Sequence, residues 1–445
     1  MALTRIDLVL IVTYALVCIG IGIWSSWKQK EDDYLIAGRK LGTGAFIATI
    51  VASYIGGGAL VAVSAYVYQY GISAVSVFLG TAVGFLCFIW YALRIRRIGK
   101  EKEFHTLADW FYYKYDHKVG LLAAIVIFIS FFGWLMNQFI AGSSILSSMS
   151  GWSYETALFF SSLVILTYLF LGGFRSVVKT DIFQYLLMLI LFFIIGKSMI
   201  SSQILPPELL DWSRLGVSLT ISFIVYGLFV VMVGADYWQR VYAAENEKVI
   251  RQGLIGSAIA VIITGFGLSL IGLAAGAYFP GIDPNTAAAY GLSHLLPQGM
   301  LGLGLILIFA VIMSSADTMI FVLATNISKD YFAHKYPHMT KKNLMDMTKL
   351  AVIIISLLSA FSAYFFRDII SVVLTIVGMQ FALVPALVGS FHFKIKNSAA
   401  FASILVGFIY VLVLVFAGYL IPEAAIGSCI VSLAVLLLVQ FFWKK

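Results

Sequence analysis

Between residues 301 and 330 the sequence LGLGLILIFAVIMSSADTMIFVLATNISKD places Ser314, Ser315, Asp317 and Thr318 in the middle of an otherwise apolar run. As a helix rising ~1.5 Å per residue, this run spans a bilayer, so its oxygen-bearing side chains sit at hydrocarbon depth and need partners. Val311, Ser314 and Ser315 fall at i, i+3 and i+4, which brings two hydroxyls and a backbone carbonyl onto one face; Ser314, Asp317 and Thr318 repeat that spacing on the adjoining face. Neutral and anionic oxygens so grouped suit a small, hard cation. A carboxylate at mid-membrane costs roughly 2.5 to 3.5 kcal/mol on insertion scales, so Asp317 is expected to face protein, water or an ion. The bland alternative is that the hydroxyls bond back to their own helix and let neighbours pack closely.

A second polar interruption lies at Gly56, Gly57 and Gly58, three successive glycines inside the apolar run 43–71. Glycine penalises helix and removes side chains, so the backbone is expected to unwind there and offer unpaired carbonyls and amides; a close helix crossing is the alternative. Asn137, Gln138 and Gln380 are uncharged polar residues at mid-membrane positions, able to contact a solute or to bond between helices. Asp181 follows Thr180 at the start of an apolar run, where helix capping is the ordinary explanation. Asp236 and Arg240 stand at i and i+4 near a membrane edge, a spacing that suits a weak mutual ion pair.

The elements that position these residues are membrane helices. The 445-residue chain is 61% hydrophobic and 11% charged, which marks an all-α polytopic membrane protein. About thirteen apolar runs follow one another: 5–27, 43–71, 73–97, 119–148, 153–171, 181–203, 215–233, 249–278, 300–332, 347–366, 369–392, 397–420 and 423–443. The formal charge of +8 is distributed by side. Of the 29 basic residues, all but Arg5, Lys197, Arg214 and Arg367 fall in alternate loops, which predicts the N-terminus outside and the C-terminus inside. That distribution points away from nucleic acid and toward the bilayer as the main partner. A short helix is expected between Thr106 and Tyr115, and a kink at Pro385. Cys18, Cys87 and Cys429 have no disulfide or metal spacing, and no catalytic arrangement, nucleotide-binding loop or soluble domain is visible. No enzyme activity and no obligatory protein partner are expected.

Four motifs, in this order and at these intervals, resemble the sodium/solute symporter family of proline, sialic acid, pantothenate and sodium/glucose transporters. They are DDYLIAGRKLG after the first run, GGFRSVVKTDIFQ around Asp181, DYWQRVYAAENEK after the seventh, and AVIMSSADTMIFVLATNISKDYF. The resemblance implies a leucine-transporter fold with two inverted five-helix repeats, here 43–203 and 215–392, preceded by an extra helix at 5–27 and followed by two at 397–443. It pairs the Gly56 to Gly58 helix with the Gly227 helix as the two discontinuous ones. It further implies a sodium ion held by the backbone oxygens of Ala52, Ile55 and Val311 with the hydroxyls of Ser314 and Ser315, and, in some members, a second cation at Asp181, Ser314, Asp317 and Thr318. Asp317 departs from the small hydroxyl residue of that pattern. The tyrosine that gates sugar-transporting members has no counterpart in register, Tyr226 being offset, which argues against a sugar.

The expected function is therefore sodium-coupled import of a small organic solute across the cell membrane by alternating access. The expected substrate is an amino acid or a related small neutral or zwitterionic solute, with a carboxylate or sugar as alternatives. It would be bound near Gly56, Gly57, Gly58, Asn137, Gln138, Tyr226, Gly227 and Gln380. Proton coupling through Asp181 and Asp317 is the alternative driving force, and a membrane sensor built on the same fold is the alternative class; a sensor would be expected to append a signalling domain.

Overall fold

The computed structural model describes residues 5–26, 31–202, 206–296, 301–333, 336 and 338–442. Lys28, Lys30, Lys335, Lys444 and Lys445, which contribute to the charge asymmetry above, lie outside them. Apolar runs become helices: α1 (Arg5–Ser26), a short α2 (Glu31–Ile36), α3 (Thr43–Tyr54), α4 (Gly57–Tyr70), α5 (Ser76–Glu101), α6 (Leu107–Lys114), α7 (His117–Ser150), α8 (Tyr154–Ser202) and α9 (Gly216–Val233). There follow α10 (Ala235–Ala243), α11 (Glu247–Tyr278), α12 (Ala287–Leu295), α13 (Leu301–Thr325), α14 (Lys341–Phe365), α15 (Ile369–Phe381), α16 (Val384–His392), α17 (Asn397–Ala417) and α18 (Pro422–Phe442). Eleven helical segments among the described residues are long and apolar enough to cross a membrane.

Polar residues start the helices where the sequence leaves the apolar runs. Thr106 and Asp109 cap α6 reciprocally, Asp116 accepts from Val119 N at 3.0 Å before α7, and Asn246 accepts from Val249 N at 3.0 Å before α11. Two of the turns with positive φ rest on glycine. Gly71 (φ 68°) separates α4 from α5, and Gly173 (φ 58°, ψ −171°) folds the long α8 back on itself against the ring of Tyr34. Residues after that fold, expected as a loop up to Asp181, are helical. Asp181 therefore lies inside the helix and fully buried, where it cannot act as an N-cap.

The core is built around α13, whose span is enclosed on all sides by α1, α3, α7, α8 and α14. Two helices in the middle of the bundle are discontinuous. α3 stops at Tyr54 and α4 restarts at Gly57, as the glycine run predicts. The helix carrying Gly227 is broken as well, but past that residue: α9 runs unbroken through Gly227 and stops at Val233, with Gly234 (φ −71°, ψ 101°) as the extended link to α10. Gly227 serves a helix crossing instead, because a β-carbon there would collide with Val77 O and Thr81 N of α5. The two broken helices are tied at one end of the bundle by a two-residue parallel bridge, Leu41 N to Ala243 O at 3.0 Å and Glu245 N to Leu41 O at 3.1 Å. α15 and α16 divide at Ala382 and Leu383, just before Pro385.

Candidate cation and solute site

The C-terminal carbonyls of α3 are left without helical donors because the chain unwinds at Ile55 (φ −91°, ψ 83°) and Gly56 (φ −98°, ψ 177°). α13 meets them with its hydroxyl face. Ser314 Oγ donates to Ala52 O at 2.9 Å and Val311 O at 3.1 Å; Ser315 Oγ donates to Ser53 O at 3.0 Å and Val311 O at 3.3 Å. Ala52, Ile55, Val311, Ser314 and Ser315 are all fully buried. The close approach requires glycine: a β-carbon on Gly56 would lie 2.7 Å from both Ser315 Oγ and Gln138 Oε1. Gln138 braces the break by accepting from Gly57 N at 2.6 Å. The result is a buried cluster of neutral hard oxygens at the negative end of a half-helix, a donor set that fits an alkali cation and offers nothing to a soft metal.

The adjoining face of α13 is occupied differently. Arg240 of α10 is fully buried, and its ion pair is with Asp181, Nη2 to Oδ2 at 3.5 Å, not with the Asp236 carboxylate that the i, i+4 spacing suggests. To Asp236 it donates only through the backbone carbonyl, at 3.0 Å. The same Nη2 reaches Ser53 Oγ at 2.5 Å, Thr318 Oγ1 at 2.8 Å and Thr49 Oγ1 at 2.9 Å, while Nε reaches Thr49 Oγ1 at 3.1 Å. Thr49 in turn donates to Asp181 Oδ2. Asp181 Oδ1 has no hydrogen-bond partner among the described residues. The residues expected to share a second cation thus have separate partners: Thr318 and Asp181 surround a guanidinium, Ser314 turns to α3, and Asp317 Oδ2 accepts from Thr180 Oγ1 at 3.4 Å. A fork of five donors satisfies several acceptors at once, which is why an arginine can be held here.

Next to both positions lies a cavity of about 140 Å³ lined by α4, α9, α15, the start of α18 and the two helix breaks. Gly56, Gly58, Gln138, Tyr226 and Gln380 line it; Gly57, Asn137 and Gly227 do not. Asn137 is buried against Gly58, with neither side-chain polar atom bonded among the described residues. Gln380 accepts from Trp134 Nε1 at 3.2 Å. The cavity extends toward Tyr66, Phe223 and Pro422. Outside the cavity lining an aromatic cluster is buried: Trp110 stacks on Phe391 at 4.5 Å, meets Trp238 at 5.7 Å and bonds Ser390 Oγ at 2.9 Å. The short helix expected between Thr106 and Tyr115 is present as α6, with Leu107 to Phe111 buried in this packing.

Sequence reasoning missed Thr49, Ser53 and Gly234, and took Asp236 and Arg240 only for a weak mutual pair at the membrane edge. Thr49 and Ser53 are at i, i+4 just before the glycine break, a signal as good as that of Ser314 and Ser315.

Similarity to known proteins agrees with this fold. The chain is 26% identical over 431 residues to the osmoregulated proline transporter OpuE of Bacillus subtilis, covering 89% of this chain and 86% of that one. It is 26% identical to the sodium/pantothenate symporter of Escherichia coli over 356 residues, 74% of this chain and 72% of that one. Among solved structures, a Na+-coupled sialic acid symporter in a substrate-bound outward-open state superposes with a TM-score of 0.81 over 99% of both chains at 17% identity. The nucleobase-cation-symport-1 family transporter Mhp1 gives 0.59 over 91% of this chain and 92% of that one at 13% identity. The leucine-transporter fold is thereby shared. With the model of the sodium:solute symporter family matching residues 34–203 and 210–407, the chain belongs to that family.

Proposed function

We propose that one sodium ion, bound by the carbonyls of Ala52, Ile55 and Val311 and the hydroxyls of Ser314 and Ser315, drives uptake of a small organic solute from the cavity beside it. Sodium-coupled solute symport across the plasma membrane is the function of the family; the site, the ion count and the solute are the proposal. The observation that carries it is the pairing of both serine hydroxyls with the open carbonyl end of α3. Sodium would supply the positive charge that clamps α3 to α13. Arg240 supplies a tethered one at Asp181 and Thr318, so the second ion of some relatives has no role here.

The two inverted repeats run over 43–203 and 215–392, and the chain crosses the membrane thirteen times with its N-terminus outside. In that orientation the cavity opens outward, and the Trp110, Trp238 and Phe391 plug closes the cytoplasmic path. A substrate of amino-acid type, neutral or zwitterionic, is the best match to a cavity without a basic residue. One charge crossing 100 mV contributes ~2.3 kcal/mol, and a tenfold sodium gradient a further ~1.4 kcal/mol.

The test is uptake into potassium-loaded proteoliposomes, with a panel of labelled amino acids and related solutes. Uptake is expected only with external sodium and is lost at low sodium in Ser314→Ala and Ser315→Ala. Accumulation driven by a pH gradient in sodium-free buffer would contradict the proposal.

A further inference from the structure

Among the cavity-lining residues Asp236 is the only one with a formal charge at neutral pH, and no lysine or arginine is among them. It stands buried in the first turn of α10, where the helix dipole favours a negative charge. Arg240, one turn on, directs its ion pair to Asp181, so one guanidinium stands beside two carboxylates, and Asp236 has no ion-pair partner among the described residues. A buried carboxylate that shares one guanidinium with a second carboxylate is left partly uncompensated, and a cation entering the cavity relieves that cost.

The walls around it are aromatic: Tyr54, Tyr66, Trp134, Phe223, Tyr226 and Tyr237. Several polar handles are already engaged, Tyr54 with Thr81 at 2.7 Å and Trp134 with Gln380 at 3.2 Å, which leaves ring faces to the cavity contents. Tyr66 and Phe223 meet edge to face at 5.0 Å. Ring faces attract an ammonium group and do nothing for a carboxylate. Nor is the amide end of α4 fully available to an anion, because Gly57 N is bonded to Gln138.

We infer that the solute carries an ammonium group, that Asp236 is its counter-ion, and that the aromatic walls hold its apolar body. The inference rests on the proposed symport only in taking this cavity to be the solute's. The solute class narrows to small amines and zwitterions; a plain carboxylate would face Asp236 with no basic side chain among the lining residues to balance it.

The charge preference can be read without knowing the solute. Ala62, which lines the cavity, is replaced by cysteine in the full-length protein after removal of Cys18, Cys87 and Cys429. It is then labelled with a methanethiosulfonate bearing either trimethylammonium or sulfonate, each rate being taken relative to that of a small thiol in solution. A carboxylate within several ångströms favours the cationic reagent by ~10-fold or more. Asp236→Asn brings the ratio to within ~3-fold of unity, and Asp236→Glu restores the preference. A ratio near unity with Asp236 present, or a cation preference that survives Asp236→Asn, overturns the inference. Thermal stabilisation by sodium over potassium, measured on the same protein, separates the two ideas. Its absence breaks the symport proposal, whereas its presence without charge preference breaks only this one.

Discussion

On one face of α13, Ser314 and Ser315 meet the carbonyl end of α3 with no formal charge among them; on the adjoining face, Thr318 joins Ser53, Thr49 and Asp181 around the guanidinium of Arg240. Both positions collect oxygens at the same helix break. The first has dipoles and no resident cation, so it can bind and release an ion. The second has a carboxylate and carries its cation on the chain, so its charge is permanent. Ser53 belongs to both, its carbonyl accepting from Ser315 and its hydroxyl from Arg240. Whatever moves α3 at the ion position therefore also moves the arginine's acceptors.

The largest effect is expected from removing the resident cation. Arg240→Met strands Asp181 in the core, at a cost of about 3 to 5 kcal/mol, read as a large loss of melting temperature in sodium and potassium alike. An unchanged melting temperature would mean that Asp181 needs no such partner. Asp181→Asn keeps an acceptor for Thr49 and leaves Arg240 with neutral oxygens, so a smaller loss of about 1.5 to 3 kcal/mol is expected. The double variant should lose less than the sum of the two, because the second change no longer strands a charge.

Gly227→Ala sharpens the contrast from outside either position. The added methyl presses on the backbone of α5 and should cost about 1 to 3 kcal/mol in both salts while leaving the sodium response intact. A selective loss of sodium binding would instead place Gly227 in the site. Smallest in stability but most specific is Ser315→Ala. In potassium it should change stability by no more than ~1 kcal/mol, while the half-saturating sodium concentration rises ~10-fold or more, a change of ~1.4 kcal/mol.

The contrast also explains what could be seen in the sequence. Val311, Ser314 and Ser315 lie within one helical turn, so their shared face follows from spacing alone, and three glycines in a row announce the break that faces them. Arg240 gave no such signal. Its side-chain acceptors lie 59 to 191 residues away, and its i, i+4 neighbour Asp236 offered a local carboxylate that the ion pair does not use. Charge at a loop edge looks alike whether the following helix lies on the surface or plugs the bundle, and α10 plugs it. Gly227 identified the helix but not its break, which lies at Gly234, for a related reason: composition cannot distinguish a glycine that admits a neighbouring helix from one that lets the chain extend. The solute cavity was the least legible part, since its aromatic walls come from helices far apart in the chain and none is unusual in a membrane span.

The central claim is that one exchangeable cation binds beside a fixed one, and sodium-dependent melting of the purified protein tests it most directly. Stabilisation over potassium at equal ionic strength should follow a single-site curve, vanish in the Ser314→Ala, Ser315→Ala double variant and persist in Thr318→Ala, because a ligand stabilises only the state whose site is intact. A curve that requires two sodium ions, or a response that Thr318→Ala abolishes while the serine variant keeps it, would place the exchangeable ion where Arg240 stands.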